Sequence, residues 1–190
     1  MGSPVEPPLI LASRSPQRRA ILEQLRIPFE VVEPDFEVVD GTGPLERAVG
    51  KARSVDGVDE RPVLGVDTEV LLDGELLGKP QDATDAERML ERLAGRTHEV
   101  VAGLCLRTPA WEAQATEVTR VSFRPLTPRD LAQYVASGEW EGRAGGYAIQ
   151  GLGASLVERI EGDYLNIVGM PVTRLVELLA TRFPGVYGFG

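Results

Sequence analysis

The chain has 190 residues, enough for one domain, or two lobes sharing a site, with a substantial core, and its 43% hydrophobic and 26% charged residues are those of an ordinary globular protein. A formal net charge of −9 argues against sequence-independent binding to nucleic acid or to an anionic membrane. A single cysteine, Cys105, excludes an internal disulfide and a thiolate metal cluster and suits a reducing cytoplasm, while no signal-peptide pattern or membrane-length apolar run is present.

The first element is an apolar strand, Leu9-Ile10-Leu11-Ala12, which runs into Ser13-Arg14-Ser15-Pro16-Gln17-Arg18-Arg19. Pro16 suits the first position of a helix, whereas arginines there oppose the helix dipole. Arg14, Arg18 and Arg19 stacked on the free N–H groups of this helix end point to a bound anion, with phosphate the leading candidate. A solvated basic turn is the plainer alternative. Ile21, Leu22 and Leu25 continue the helix until Pro28, and Phe29–Val32 reads as a second strand. Leu45, Ala48, Val49, Ala52 and Val55 have helical spacing, with Lys51 on the flank of that stripe.

Val63–Leu72 is the longest strand signal, closed by the hairpin dipeptide Asp73-Gly74. Thr84-Asp85-Ala86-Glu87 reads as a capping box for a helix that carries Ala86, Leu90 and Leu93 and ends at Gly95. Strands are expected at about Glu99–Leu106 and Thr116–Phe123, then a helix at about Arg129–Ala136. Five glycines between Gly142 and Gly153 imply bends or a close backbone approach. Strand character resumes at Ser155–Ile160. The last helix starts at Pro171 and buries Leu175, Val176, Leu178 and Leu179, and a disordered tail is expected at Tyr187-Gly188-Phe189-Gly190. Interleaved strands and helices with hairpin signals favour an α/β fold with a mixed sheet.

Asp67 lies within an otherwise apolar strand, on the same face as Glu69 about 7 Å away. A buried carboxylate needs a compensating cation, so Asp67 is read as a ligand for a divalent ion or as a base that activates water. The alternative is a solvent-facing strand face carrying two ordinary acids. Lys79 sits in a turn between Gly78 and Pro80, where an exposed loop lysine is the commoner outcome. The sole histidine, His98, suits a hydrogen-bonded structural role, and Cys105 suits a core position. Neither a nucleophile elbow nor a P-loop occurs.

Taken in order, Ala12–Arg19, Lys51-Ala52, Gly65-Val66-Asp67-Thr68, Gly78-Lys79-Pro80, Gly95–Val100, Ala144–Gly151, Gly162-Asp163-Tyr164 and Val168-Gly169-Met170-Pro171 resemble the Maf family of nucleoside triphosphate pyrophosphatases, also described as septum-formation inhibitors. The resemblance spans nearly the whole chain. It implies a single domain over residues 1–190, with an elongated mixed β-sheet, flanking helices and two lobes around a central nucleotide-binding cleft. It also implies cleavage of nucleoside triphosphates between the α and β phosphates with Mg²⁺ or Mn²⁺, in the cytoplasm, by a homodimer that binds neither nucleic acid nor membrane.

By position, Asp67 would accept the proton of water, and Ser13, Arg18, Lys51 and Lys79 would line the phosphate site beside Arg14 and Ser15. Glu37 would join Asp67 in holding the metal, and Gln17, Thr68 and Gln150 would govern the choice of base. Asp-Thr and Ile-Gln-Gly match the branch that prefers dTTP and UTP. Gln17 departs from both branches: arginine is usual there in the dTTP/UTP branch and a bulky aromatic in the branch for methylated GTP. Glu69 also departs, standing where a small apolar residue is common. A non-catalytic nucleotide-binding regulator of cell division is the alternative from another class.

Overall fold

Leu9–Ala12 (β1) is wholly buried because it has a parallel neighbour on each side, Phe29–Val32 (β2) and Val63–Leu72 (β3). The computed structural model in which these pairings are seen describes residues 8–39, 41–56 and 59–190. Glu75–Leu77 (β4) returns antiparallel along β3 after a turn in which Asp73 and Gly74 have φ of 51° and 80°. Thr97–Thr108 (β5), Trp111–Phe123 (β6) and Val157–Glu161 (β7) complete a seven-stranded sheet in the order β2-β1-β3-β5-β6-β7, with β7 antiparallel to β6. Parallel and antiparallel pairs occur together, as the hairpin signals required.

The helices are Pro16–Gln24 (α1), Pro44–Arg53 (α2), Ala83–Leu93 (α3), Pro128–Ser137 (α4), Tyr164–Val168 (α5) and Val172–Arg182 (α6). Proline occupies the start of α1, α2 and α4, where its fixed φ suits the first turn.

The chain divides into two compact units. The first takes residues up to Thr68, Ala102–Glu117 and Gly169–Gly190. Its core includes Ile10, Ala12, Ala48, Ala52, Val55, Val63 and Cys105. There the backbone of α2 lies directly on the sheet. A Cβ on Gly65 of β3 would stand 2.1 Å from the Ala48 carbonyl oxygen, and one on Gly103 of β5 would stand 2.2 Å from Leu45 Cα. These two glycines thus set how closely α2, and every side chain it carries, approaches β3. Burial pushes the Cys105 thiol up to about 12, so it acts as a core residue and not as a nucleophile.

The second unit takes Glu69–Val101 and Val118–Val168, with a core built on Val70, Leu72, Leu90, Leu93, Phe123, Leu131 and Tyr134. His98 is buried there, 2.8 Å from the Tyr147 hydroxyl and edge-on to Phe123, which matches the structural role read from the sequence. Burial lowers its pKa from 6.5 to about 4. A base with a depressed folded-state pKa stabilises the fold fully above its unfolded pKa and loses that contribution as pH falls. Unfolding free energy is therefore expected to drop by about 3 kcal/mol between pH 6.5 and 4. Urea titrations across that window check this, and His98→Gln should flatten the slope.

Several local expectations are corrected. The cap of α3 is Asp82, whose carboxylate accepts the Asp85 N–H at 2.8 Å, so Thr84 lies inside the helix and the 84–87 capping box does not form. Aspartate caps as well as threonine, and Asp82 already has the extended backbone a cap requires. Strands β5 and β6 run beyond the expected 99–106 and 116–123, joined through Pro109-Ala110. Strand β7 starts at Val157, because Gly151–Leu156 forms a 3₁₀ turn. Helix α5 was not expected: it is too short for periodicity and is started by Asp163, whose side chain accepts the Leu165 N–H at 2.8 Å. In α6, Leu175 and Leu179 are buried while Val176 and Leu178 are only partly so. The C-terminal tail is ordered. Tyr187 is buried edge-on to Phe183, which packs on Trp111, and the Phe189 carbonyl accepts the Gly185 N–H.

Candidate active site

The C-terminal end of β1, the start of α1, one face of α2 and the middle of β3 converge within the first unit. Asp67 of β3 is the centre. Its side chain is 15% exposed, which rules out the solvent-facing alternative. Arg47 and Lys51, four residues apart on α2 and so on one helix face, both reach it. Arg47 Nε donates to Oδ2 at 2.6 Å, and Lys51 Nζ donates to Oδ1. Their side chains are 12% and 18% exposed.

Arg18 of α1 is buried behind this pair. Its Nε donates to the Gly169 carbonyl at 2.9 Å, Nη1 to Ser13 Oγ at 3.2 Å and Nη2 to Thr68 Oγ1 at 3.4 Å. All three guanidinium nitrogens thus hold protein groups, so Arg18 ties the end of β1 to β3 and to the start of the Gly169–Gly190 segment. Ser13 Oγ also accepts the Ser15 N–H at 3.1 Å. Ser15 caps α1 and donates to Gln17 Oε1 at 3.0 Å. The amides expected to be open to an anion are therefore partly engaged by the two serines.

The electrostatics follow from burial. Desolvation pulls Arg18 down to about 10 against the attraction of Asp67. Burial likewise lowers Lys51, aided by Arg18 and Arg47 and opposed by Asp67. Burial alone would raise the Asp67 carboxyl. The charge of Lys51 beside it and the hydrogen bonds from Lys51 and Arg47 outweigh that and hold it below the ordinary carboxylate range. Arg47 and Lys51 thus hold one ionised carboxylate, with the charge of Arg18 within electrostatic reach of it. Cations gathered in a largely buried place are a natural seat for an anionic ligand.

The other expected residues have the following surroundings. Arg14 is 72% exposed and ion-paired with Glu33 at 3.1 Å. Arg19 is half-buried, and its Nε has no hydrogen-bond partner among the described residues. Glu37 is exposed in the segment between β2 and α2. Lys79 and Gln150 belong to the second unit, where both are exposed, and Glu69 is half-buried there. Arg47 was absent from the expected set. Its signal was available as a cation four residues before Lys51.

As arranged here, Asp67 offers no free oxygen to a resident divalent metal. Both Asp67 oxygens are engaged by cations, and among the described residues no group of three His, Cys, Asp or Glu side chains could hold an ion. No helix among the described residues is long and apolar enough to cross a membrane.

The same geometry can be set against known proteins. The Maf-like protein family profile matches residues 8–182. A dTTP/UTP pyrophosphatase from Thermus thermophilus is 45% identical over 185 residues, covering 96% of this chain and 98% of that protein. A dTTP/UTP pyrophosphatase from Deinococcus radiodurans is 43% identical across 100% of both chains, and one from Pyrococcus furiosus is 40% identical over 90% of this chain and 93% of that one. The chain belongs to the Maf family.

Proposed function

We propose that this protein hydrolyses nucleoside triphosphates, with dTTP and UTP foremost, between the α and β phosphates to give a monophosphate and pyrophosphate. The observation that carries the proposal is the placement of Arg18 and Lys51 beside an ionised, largely buried Asp67 whose other oxygen is held by Arg47. A triphosphate of about four negative charges must be neutralised before water can approach phosphorus, and a preorganised set of cations does this without reorganisation. The dTTP/UTP pyrophosphatase names of relatives at 40–45% identity support the same reading.

In this scheme Lys51, a compact charge on a flexible stem, exchanges Asp67 for a phosphate oxygen when substrate arrives. That exchange removes the group that most depresses the Asp67 carboxyl, so its basicity rises when a water molecule has to be oriented and deprotonated. Arg18 supplies a fixed positive field from behind. Thr68 and Gln17, hydrogen-bonded to Arg18 and to Ser15, are assigned the choice of base on the family resemblance. Mg²⁺ or Mn²⁺, a homodimer and a cytoplasmic setting complete the proposal on the family resemblance alone, and no step above runs through a metal.

The experiment is to incubate purified protein with a panel of canonical and modified nucleoside triphosphates, with and without Mg²⁺ or Mn²⁺, and to measure pyrophosphate and orthophosphate separately. Pyrophosphate matched by monophosphate, with dTTP and UTP ranked first, is expected. Orthophosphate alone would mean a different phosphatase chemistry. Release of neither, with nucleotide still bound, would favour a regulator.

A further inference from the structure

We propose that Arg47 is the positioning residue of this site: it fixes the plane of the Asp67 carboxylate and leaves Oδ1 as the oxygen that addresses water. The inference rests on the pyrophosphatase reading and adds a residue to it. The observation is a division of labour between the two cations of α2. Arg47 is pinned at both ends, with Nε on Asp67 Oδ2 at 2.6 Å and Nη1 on the Thr42 carbonyl. Thr42 is itself folded back, its N–H and hydroxyl both donating to the Val39 carbonyl at 3.2 Å and 2.6 Å. A planar guanidinium held by a backbone carbonyl on one side can orient a carboxylate on the other. Lys51 approaches Oδ1 as a point charge and can move to phosphate without disturbing that plane.

The consequence is that Arg47 and Lys51, both ion-paired to one acid, differ in what their loss does. Removing Lys51 weakens phosphate binding and chemistry together. Removing Arg47 leaves phosphate binding largely intact and lets the carboxylate rotate, so the loss falls on turnover. A helical cation one turn from the substrate-facing lysine thus acts through Asp67 and not on the substrate.

Two readouts test this. Arg47→Ala is expected to lower kcat for dTTP by about 10- to 100-fold, with KM within about threefold of the parent. Added guanidinium should restore part of the kcat of Arg47→Ala but not affect the parent. Arg47→Lys should fold normally and remain below the parent in kcat, because an ammonium lacks the fork geometry. Unchanged kcat, a rise in KM alone, or a folded variant that guanidinium does not rescue would overturn the proposal. The second readout needs no turnover. In ¹⁵N spectra the Arg47 Nε–H should be shifted and slow to exchange, and Asp67→Asn should abolish that signature. A parent without pyrophosphate release that retains the signature refutes the functional reading but not the ion pair. Release with no Nε–H signature refutes the positioning role itself.

Discussion

Replacing Asp67 with asparagine is expected to lower turnover of dTTP by about 10³-fold, the scale of a lost general base. Asparagine has the same shape and keeps one acceptor for Arg47 or Lys51, but it cannot take a proton from water. Binding should survive, because the substitution removes a negative charge beside Lys51 and leaves in place the cations that would meet the phosphates. Dissociation constants for dTTP, measured by calorimetry, should therefore match or fall below the parent's. The unliganded variant should also be less stable by about 2 kcal/mol, since two charge-assisted hydrogen bonds lose their ionised acceptor. Pyrophosphate should return part of that stability by binding the folded state. An Asp67→Asn protein that turns over at the parent rate would remove Asp67 from the chemistry.

Gly65→Ala is expected to be the most damaging single methyl group that can be added near the site. Its Cβ would lie 2.1 Å from the Ala48 carbonyl and 2.9 Å from the Ala52 amide, both backbone atoms of α2 that cannot rotate aside. The helix must lift from β3, at a cost on the order of 3 kcal/mol, or roughly a 10 °C fall in the melting temperature. Activity should fall further than stability predicts, because α2 carries both Arg47 and Lys51. Their distances to Asp67 change with the helix, and misplacement of about 1 Å is enough to cost about 10²-fold. Gly78→Ala is the matched control: nothing lies within 4 Å of its would-be Cβ, and its melting temperature should stay at the parent's. Thermal melts and kcat of the two variants, compared below both transitions, check the pair. Equal melting temperatures for Gly65→Ala and the parent would show that the helix is not seated as described.

How much of this could be read beforehand depends on the range of the interaction concerned. Strands β1, β2 and β3 and helices α1, α2 and α4 were legible because each is defined by local apolar period, proline or turn chemistry. Asp67 was legible because a charge inside an apolar strand demands an explanation, and Arg18 because arginine is out of place at the start of a helix. What Arg18 does there was not legible, since its Nε partner, Gly169, is 151 residues away in sequence. Its guanidinium donates to Gly169, Ser13 and Thr68, partners that no local pattern announces. Arg47 was passed over although its spacing to Lys51 placed it on the same face. Helix position indicates where a side chain points, not how near the opposite strand lies, and that proximity is set by Gly65 and Gly103. The tail misled for a related reason: Tyr187 is ordered through Phe183 and Trp111, an aromatic stack with no local signature.

The most direct test is a single comparison of products from dTTP, made side by side for the parent protein and for Asp67→Asn. The expected result is dTMP and pyrophosphate in equal amounts from the parent, and bound but intact dTTP with the variant. Orthophosphate with dTDP from the parent, or undiminished pyrophosphate from the variant, would contradict an α–β cleavage centred on Asp67.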